Sequence, residues 1–216
     1  MTDRGGSWPT AEPATFPVRL DGYTDLPAGK IANVVTFLER TEPPAASPPA
    51  HAEFAVRRVA NPTVAWFRAL YSRIGQDWLW FSATVMPDER LAAYISQPTV
   101  EILALTKDGE DIGLAEIDFS KEGEAEIVTF GVIGEAIGTG AARHLMEHTV
   151  AAAFRPGIRR VWLHTCTFDH PAAVRFYLRL GFRGWKFAIE VSDDPRLTGA
   201  LPASAAPHVP LLRPRE

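Results

Sequence analysis

FGVIGEAIGTGAAR, which spans Phe130–Arg143, has the pattern of a β-strand end, a turn of small residues and the start of an α-helix. The first turn of a helix carries N–H groups without intrahelical acceptors and a partial positive charge. Glycine and alanine let the phosphates of a ligand approach these donors closely. The segment predicts a pyrophosphate site made of backbone amides, with Arg143 as an assisting cation. A tight strand-to-helix connection without a ligand is the alternative interpretation.

Two common phosphate-binding motifs do not fit this turn. A Rossmann fingerprint needs a third glycine three residues after Gly140, where Arg143 stands. It also needs an acidic residue at the end of the next strand, which reads RRVWLHT over residues 159–165. A P-loop needs Gly-Lys-Ser/Thr at the helix start, which the sequence lacks. The turn therefore disfavours a dinucleotide site and a P-loop.

The residues around the turn predict a mixed α/β fold. Asp108-Gly109 joins two predicted strands as a hairpin, because both turn residues tolerate positive φ. Asn61 is expected as the N-cap of a first helix, and Asp169 as the cap of a later helix that stops at Gly181. Strands that alternate with helix crossovers form a sheet flanked by helices. The predicted strands are 30–39, 53–59, 100–107, 110–119, 125–133, 159–165 and 182–191, and the predicted helices begin near 61, 87, 138 and 169.

Proline divides the chain into three parts. Eight of the 18 prolines lie in the first 49 residues and five lie from Pro195 to Pro214, so regular structure should concentrate between them. We predict an N-terminal extension at 1–50, with one strand and a Pro-rich connector, and a central domain at 51–191. We also predict a Pro-rich C-terminal tail at 192–216, packed on the domain or on a partner subunit because of its spaced apolar residues. The N-terminal strand is expected to extend the sheet edge or to cover it.

Composition narrows the class of protein. The 216 residues are 46% hydrophobic and 22% charged, which is typical of one soluble globular domain. The formal net charge is −4, and sequence-independent nucleic-acid binding needs a basic face, which this balance does not suggest. A mildly acidic protein is compatible with an amine substrate. No apolar run is long enough for a membrane span, and the first residues lack the apolar region of a secretory signal. One cysteine excludes an intrachain disulfide, so a cytoplasmic location is expected.

The glycine turn also carries a family resemblance. Glu135-x-x-Gly138-x-Gly140 resembles the acyl-CoA loop of the GNAT superfamily of N-acyltransferases, written Q/R-x-x-G-x-G/A. The first position departs from that pattern, with Glu in place of Gln or Arg. This difference affects a side chain and leaves the backbone amides of the loop in place.

A second segment, in the expected order, supports the first. Ala173-x-x-x-Tyr177-x-x-x-Gly181-Phe182 resembles a later helix of the family, A-x-x-x-Y-x-x-x-G-F. The family often has Asn seven residues before that tyrosine, where this chain has His170. The resemblance covers about residues 53–191 and implies a GNAT-like mixed, mostly antiparallel sheet, with 51–191 as the acyltransferase domain.

The resemblance implies acetyl-CoA as cosubstrate, with no metal. Its pantetheine would enter a gap in the sheet between the strands near 125–133 and 159–165, and its pyrophosphate would rest on the turn amides. The cofactor-binding residues that follow from the resemblance are Phe130, Gly131 and Val132 on the strand, Ile137, Gly138, Thr139, Gly140, Ala141, Ala142 and Arg143 at the turn, and His170.

Acyl transfer to an amine requires a group that accepts the ammonium proton and benefits from one that protonates the departing thiolate. Glu126 lies in a segment that resembles the family strand supplying a catalytic glutamate, and it is our candidate base. Glu116 and Asp118 are alternative bases, and an exposed strand position is the structural alternative for Glu126. Tyr177 is the candidate acid, as in the family, although its helical spacing also suits a core residue. A backbone N–H near Val132 is expected to bind the oxyanion.

Cysteine and histidine residues suggest other chemistries. Cys166 is a possible nucleophile with His164 or His170 as its base, and the three side chains could bind a metal ion. A free cysteine is more often buried and inert.

The segment HLMEH at 144–148 spells a zinc-peptidase signature. We interpret it instead as a solvated helix face, with both histidines pointing away from the buried stripe. That stripe is expected to contain Ala142, Leu145, Met146, Thr149 and Ala153.

The sequence therefore favours an N-acetyltransferase that uses acetyl-CoA and acts on a small-molecule or peptide amine. The alternative is a non-catalytic acyl-CoA-binding or regulatory module on the same fold, since a fold does not determine an activity. A zinc peptidase is the remote alternative. No nucleic acid or membrane partner is expected, and a homodimer is compatible with the family resemblance.

Overall fold

A computed structural model describes Thr15 and residues 17–213. Within this part of the chain the strands are β1 (Lys30–Arg40), β2 (Ala55–Arg58), β3 (Val100–Lys107), β4 (Glu110–Asp118), β5 (Glu124–Val132), β6 (Arg160–Cys166) and β7 (Arg183–Asp193). The helices are α1 (Val64–Gly75), α2 (Ser82–Val85), α3 (Asp88–Ile95), α4 (Ala141–Ala153) and α5 (Ala173–Arg179), with 3₁₀ turns at Gln76–Trp78 and Gly134–Ala136.

The seven strands form one sheet in the order β2-β3-β4-β5-β6-β1-β7. Neighbouring strands are antiparallel except β5 and β6, which are parallel. The predicted mixed, mostly antiparallel sheet flanked by helices is confirmed. β5 and β6 pair over four residues, from Glu124 opposite Arg160 to Ile127 opposite Leu163. Beyond Ile127 and Leu163 the two strands no longer pair, and the sheet is open there.

Helices cover both faces of the sheet. Tyr94 of α3 donates a hydrogen bond to the buried carboxylate of Glu116 in β4. On the opposite face α4 lies so close to Gly113 of β4 that a Cβ there would meet Leu145 Cδ2 at 3.1 Å. Successive strand residues alternate between faces. We refer to these two sides as the Glu116 face and the Gly113 face.

The N-terminal strand β1 is internal to the sheet, so the expectation that it extends or covers an edge is wrong. It lies between β6 and β7 and pairs antiparallel with both, with Phe37 opposite His164 and Asn33 opposite Glu190. Val35 and Leu38 are both buried. Buried apolar residues on both faces fit a strand that is covered on both sides of the sheet.

Two helix starts differ from the predictions. The N-cap of α1 is Thr63, not Asn61, and its hydroxyl accepts a hydrogen bond from the Trp66 N–H. α4 begins at Ala141 instead of 138 because Gly138 and Gly140 adopt positive φ, +83° and +94°, which the helix excludes. None of the described helices is long and apolar enough to span a membrane.

The helix α5 begins at Ala173, with Ala172 at its N-cap, and not after a cap by Asp169. The carboxylate of Asp169 accepts hydrogen bonds from other groups, which are described below. Gly181 follows the end of this helix with φ +85°, as predicted for a C-terminal glycine.

The described part of the tail folds back on the sheet. Leu201, Ala205 and Ala206 are buried against Leu79. Arg196 is buried with Asp194, at 2.8 Å between Nη2 and Oδ2, and it also donates hydrogen bonds to tail carbonyls, including that of Val209 at 2.7 Å. This charged pair fixes the tail beside the segment that precedes α2.

Candidate functional site

A cavity of about 580 Å³ opens where β5 and β6 separate. Its walls include residues 127–132 of β5 and 163–166 of β6. The segment Trp78–Phe81 and one side of α5 close it from other directions. The cavity therefore connects the two faces of the sheet through the gap between the strands.

A β-bulge at Val128 accounts for the separation of the strands. Ile127 lies opposite Ile117, and the next pair is Thr129 opposite Glu116, so Val128 is an extra residue in β5. A bulge bends its strand and increases the local twist. The bend begins next to Ile127, where β5 stops pairing with β6.

Gly131 lies on the bent end of β5, at a point of close approach. A Cβ at this position would lie 2.5 Å from Ile74 Cγ2 and 3.1 Å from the ring of Trp80. Phe130 points to the other face, where its ring lies 6.2 Å from that of Tyr177. Phe130, Gly131 and Val132, the predicted cofactor-binding strand residues, all line the cavity.

The glycine turn divides its backbone amides into two groups. The N–H of Ile137 donates to Gly134 O at 3.1 Å, that of Thr139 donates to Ala136 O at 3.4 Å, and that of Ala141 lies 3.4 Å from Thr139 Oγ1. These three are engaged within the turn. A second group remains open: among the described residues none accepts a hydrogen bond from the N–H groups of Gly138, Gly140, Ala142 and Arg143.

The open amides lie at the edge of the cavity. Gly138 and Ala142 line it, and a Cβ at Gly138 or Gly140 would meet no atom within 4 Å. The Arg143 side chain is 73% exposed and donates through Nε to Glu147 at 2.8 Å. The turn thus offers open donors beside the cavity at a helix N-terminus, which fits a diphosphate.

His170 and Tyr177 line the cavity near α5. The His170 ring lies 5.2 Å from that of Trp78, and its Nδ1 accepts a hydrogen bond from the Ala172 N–H. Tyr177 is buried, and burial, with a contribution from the Asp169 carboxylate, raises its pKa above the ordinary value. The phenol is therefore protonated at neutral pH.

Glu126 lies on the Glu116 face, opposite Asp118. Its Oε1 is 3.8 Å from Nδ1 of His164. His164 lines the cavity, whereas Glu126 is not among the lining residues. The structure thus brings together two residues that the sequence analysis assigned to different chemistries.

The two alternative bases are engaged elsewhere. Glu116 is 2% exposed and accepts a hydrogen bond from the Tyr94 hydroxyl, whose pKa is raised by burial and by this carboxylate. Asp118 accepts a hydrogen bond from the Ser120 N–H at 2.7 Å. Neither residue lines the cavity.

With this geometry, comparison with known proteins identifies the family. The family model described as acetyltransferase (GNAT) family matches residues 67–182, more than half of the chain. The chain belongs to the GNAT family. An uncharacterised N-acetyltransferase of Mycobacterium tuberculosis is 33% identical to this GNAT chain over 94 residues, which are 44% of the chain and 60% of the relative. The match therefore spans less than two thirds of the length of that relative.

Solved structures share the GNAT fold. A GCN5-related N-acetyltransferase from Sphaerobacter thermophilus has a TM-score of 0.58 and 18% identity, over 75% of this chain and 52% of that one. A functionally unknown conserved protein from Staphylococcus epidermidis has a TM-score of 0.57 and 16% identity, over 77% of this chain and 64% of that one. The resemblance inferred from the two motifs is confirmed, and the chain is a member of a family of acyltransferases.

Cys166 in this GNAT chain is poorly suited to nucleophilic catalysis. Burial, reinforced by the Asp169 carboxylate, raises the pKa of its thiol to about 12. A thiol of that pKa contains almost no thiolate at neutral pH, and the thiolate is the nucleophile. Among residues 17–213, moreover, no group of three or more His, Cys, Asp and Glu side chains is arranged to hold a metal ion.

The prediction that both histidines of HLMEH point away from the core is wrong for His144. This side chain is 5% exposed, and its ring lies 5.4 Å from that of His51 and 6.4 Å from that of Phe54. The residues before β2 cover this side of α4. The periodicity of the helix sequence alone could not reveal this cover. Burial lowers the pKa of both His144 and His148.

Asp169 and Trp80 form a contact that the sequence analysis missed. The Asp169 carboxylate accepts hydrogen bonds from Trp80 Nε1 at 3.0 Å, Thr165 Oγ1 at 2.6 Å and the Cys166 N–H at 2.8 Å. It ties the aromatic segment to the end of β6 and shapes the cavity wall. The available signals were the aromatic run Trp78–Phe81 and an acidic residue just after a strand, but these lie 89 residues apart.

Proposed function

We propose that this protein transfers an acetyl group from acetyl-CoA to a primary amine by direct attack in a ternary complex. The observation that carries the proposal is the cavity through the sheet, with open amides at Gly138 and Ala142 on one side and His164 on another. The amides suit the diphosphate of the coenzyme, and the gap between β5 and β6 suits an extended pantetheine chain. A cytoplasmic location stays a prediction.

Glu126 is the proposed base. An ammonium ion is not a nucleophile, so its proton must leave before the nitrogen attacks. His164 lies between the cavity and Glu126, whose carboxylate is 3.8 Å from the imidazole. We infer that the proton reaches Glu126 through His164 or a water molecule. The N–C bond then forms, with a backbone N–H near Val132 binding the oxyanion.

Tyr177 is the proposed acid, and it approaches from the opposite side. It packs on Phe130, on the Gly113 face, whereas Glu126 lies on the Glu116 face. When the C–S bond breaks, the sulfur keeps the electron pair and takes the phenolic proton, and the proton still held by the acylated nitrogen passes through water to the phenolate. Base and acid on opposite sides of the gap suit an amine that attacks the thioester carbonyl on one side while the sulfur leaves on the other.

The test measures free thiol released from acetyl-CoA with a panel of polyamines, aminoglycosides, amino acids and peptides. We expect release with at least one amine and a loss of about a hundredfold or more in kcat for Glu126→Gln and for Tyr177→Phe. The controls Glu122→Gln and Tyr23→Phe change exposed residues and should match wild type. Saturable acetyl-CoA binding without thiol release across the panel would support a binding module instead. No binding of coenzyme A by calorimetry would refute both functions.

A further inference from the structure

One end of the cavity is built by the two strands at the far side of the gap. Ile31 and Asn33 of β1 and Glu190 and Ser192 of β7 line it. Asn33 lies directly opposite Glu190, so their side chains share one face of the sheet. Phe37, four residues along β1, lies opposite His164 on that same face. This end of the cavity therefore belongs to the same surface as the proposed base.

Asn33, which lines this end, has a buried side-chain oxygen. The side chain is 6% exposed, and its Nδ2 donates a hydrogen bond to Glu190 Oε2 at 3.1 Å. Because the carboxylate requires a donor, this bond fixes the orientation of the amide. The Asn33 Oδ1 is buried without a hydrogen-bond partner among the described residues. Such an oxygen destabilises a protein unless a donor reaches it, and the cavity is where a ligand donor can come from.

The charges around the cavity indicate that the donor is a cation. The lining contains two carboxylates, Asp169 and Glu190, and among the described lining residues neither Lys nor Arg occurs. Asp169 already accepts three hydrogen bonds from the protein. Glu190 is exposed toward solvent and accepts one, from Asn33. An acceptor molecule with a carboxylate would be repelled here, whereas an ammonium would find an anion and a carbonyl-type oxygen side by side.

Building on the proposed function, we propose that the acceptor is a small di- or polyamine. Its distal ammonium binds between the Glu190 carboxylate and Asn33 Oδ1 while its other amine, at the His164 end, is acetylated. The four residues from Asn33 to Phe37 span roughly 13 Å at strand rise, so the two nitrogens are separated by on the order of 10 Å. Glu190 and Asn33 are therefore specificity-determining residues that do not touch the reacting atoms.

The test compares a long α,ω-diamine with the amino alcohol of the same chain length, in which a hydroxyl replaces the distal ammonium. We expect kcat/KM to favour the diamine by about tenfold, mainly through KM, because a charge-assisted hydrogen bond to a solvent-facing carboxylate has about that strength. Glu190→Gln retains the side-chain shape and should reduce the preference to about twofold or less. Asp193→Asn removes the same charge from the same strand outside the cavity, and it should keep the full preference. A short diamine, which cannot span the distance, should behave like the amino alcohol.

Failure of the polyamine inference and failure of the proposed acetyltransferase function give different results. Equal kcat/KM for diamine and amino alcohol in the wild type, or equal effects of Glu190→Gln and Asp193→Asn, overturns the inference and leaves the acetyltransferase intact. If no amine releases thiol, calorimetric titration with the diamine and with the amino alcohol tests the binding site without turnover. A diamine that binds at least fivefold more tightly than the amino alcohol, with the difference lost in Glu190→Gln, supports the site, and equal binding overturns it.

Discussion

Gly131→Ala tests the geometry of the cavity at its tightest point. The added Cβ would lie 2.5 Å from Ile74 Cγ2, which is shorter than real carbon–carbon contacts, and 3.1 Å from Trp80 Cη2, which is tighter than most of them. Ile74 is buried and β-branched, so its Cγ2 cannot turn away cheaply. Trp80 is anchored through Nε1 to Asp169. One methyl group therefore has to displace α1 or the aromatic segment.

We expect Gly131→Ala to lower the free energy of unfolding by about 2 kcal/mol, the usual range for overpacking a core. For a chain of this size that corresponds to a decrease of roughly 4–8 °C in Tm. Urea denaturation followed by far-UV circular dichroism measures the first quantity, and calorimetry measures the second. Affinity for coenzyme A should fall as well, because Gly131 lines the cavity.

Gly184→Ala is the matched control. Gly184 is also a strand glycine, but a Cβ there would meet no atom within 4 Å, and its φ is not positive. We expect this variant to equal or slightly exceed wild-type stability. If Gly131→Ala unfolds within about 0.5 kcal/mol of Gly184→Ala, α1 and β5 are not packed as described, and the reasoning is refuted.

Three further predictions concern buried charges and the thiol. Arg196→Met should lower the free energy of unfolding by about 3 kcal/mol or more, measured by urea titration, because it leaves the Asp194 carboxylate buried without its cation; a loss below about 1 kcal/mol would contradict this. Hydrogen bonds and the charge of Arg196 lower the pKa of Asp194 in the folded protein. Its stabilising effect is thus complete above the unfolded pKa of about 3.9 and is lost as pH falls through the folded pKa, so acid unfolding of wild type should be steeper than that of Asp194→Asn. Cys166, with its pKa of about 12, should react with iodoacetamide at pH 7 far more slowly than a model thiol. The Cys166→Ser variant should release thiol from acetyl-CoA at the wild-type rate. Equal labelling rates for Cys166 and the model thiol would argue against the burial of Cys166.

Local patterns predicted most of the fold. The Asp108-Gly109 hairpin, the strands on either side of it and the glycine after α5 all depend on neighbouring residues, and all three are present. The place of β1 depends on residues more than 100 positions away in the chain, and no periodicity within 30–39 specifies its neighbours. The burial of His144 has the same cause, because the covering residues come from outside α4.

The backbone of the candidate site follows from the sequence more directly than the contacts of its side chains do. Glycines at 138 and 140 are visible in the sequence, and their positive φ leaves amides open at the helix start. The bulge at Val128 has no clear sequence signal, since it is a mismatch in length between two strands. The pairing of Glu126 with His164, and that of Asp169 with Trp80, require the strand register and could not be predicted from either segment alone.

The internal position of β1 has a consequence for how the chain is made. β1 leaves the ribosome well before its two partners, β6 and β7, which both lie beyond residue 159. At typical synthesis rates of about 5–20 residues per second, this apolar strand waits on the order of ten seconds before either partner exists. During that interval β1 exposes apolar side chains and unpaired backbone N–H and C=O groups, and chaperones bind nascent segments of this kind. Three of the seven strands, β1, β6 and β7, can therefore assemble fully only after residue 193 has been translated, which makes this long-range pairing the slow step of folding.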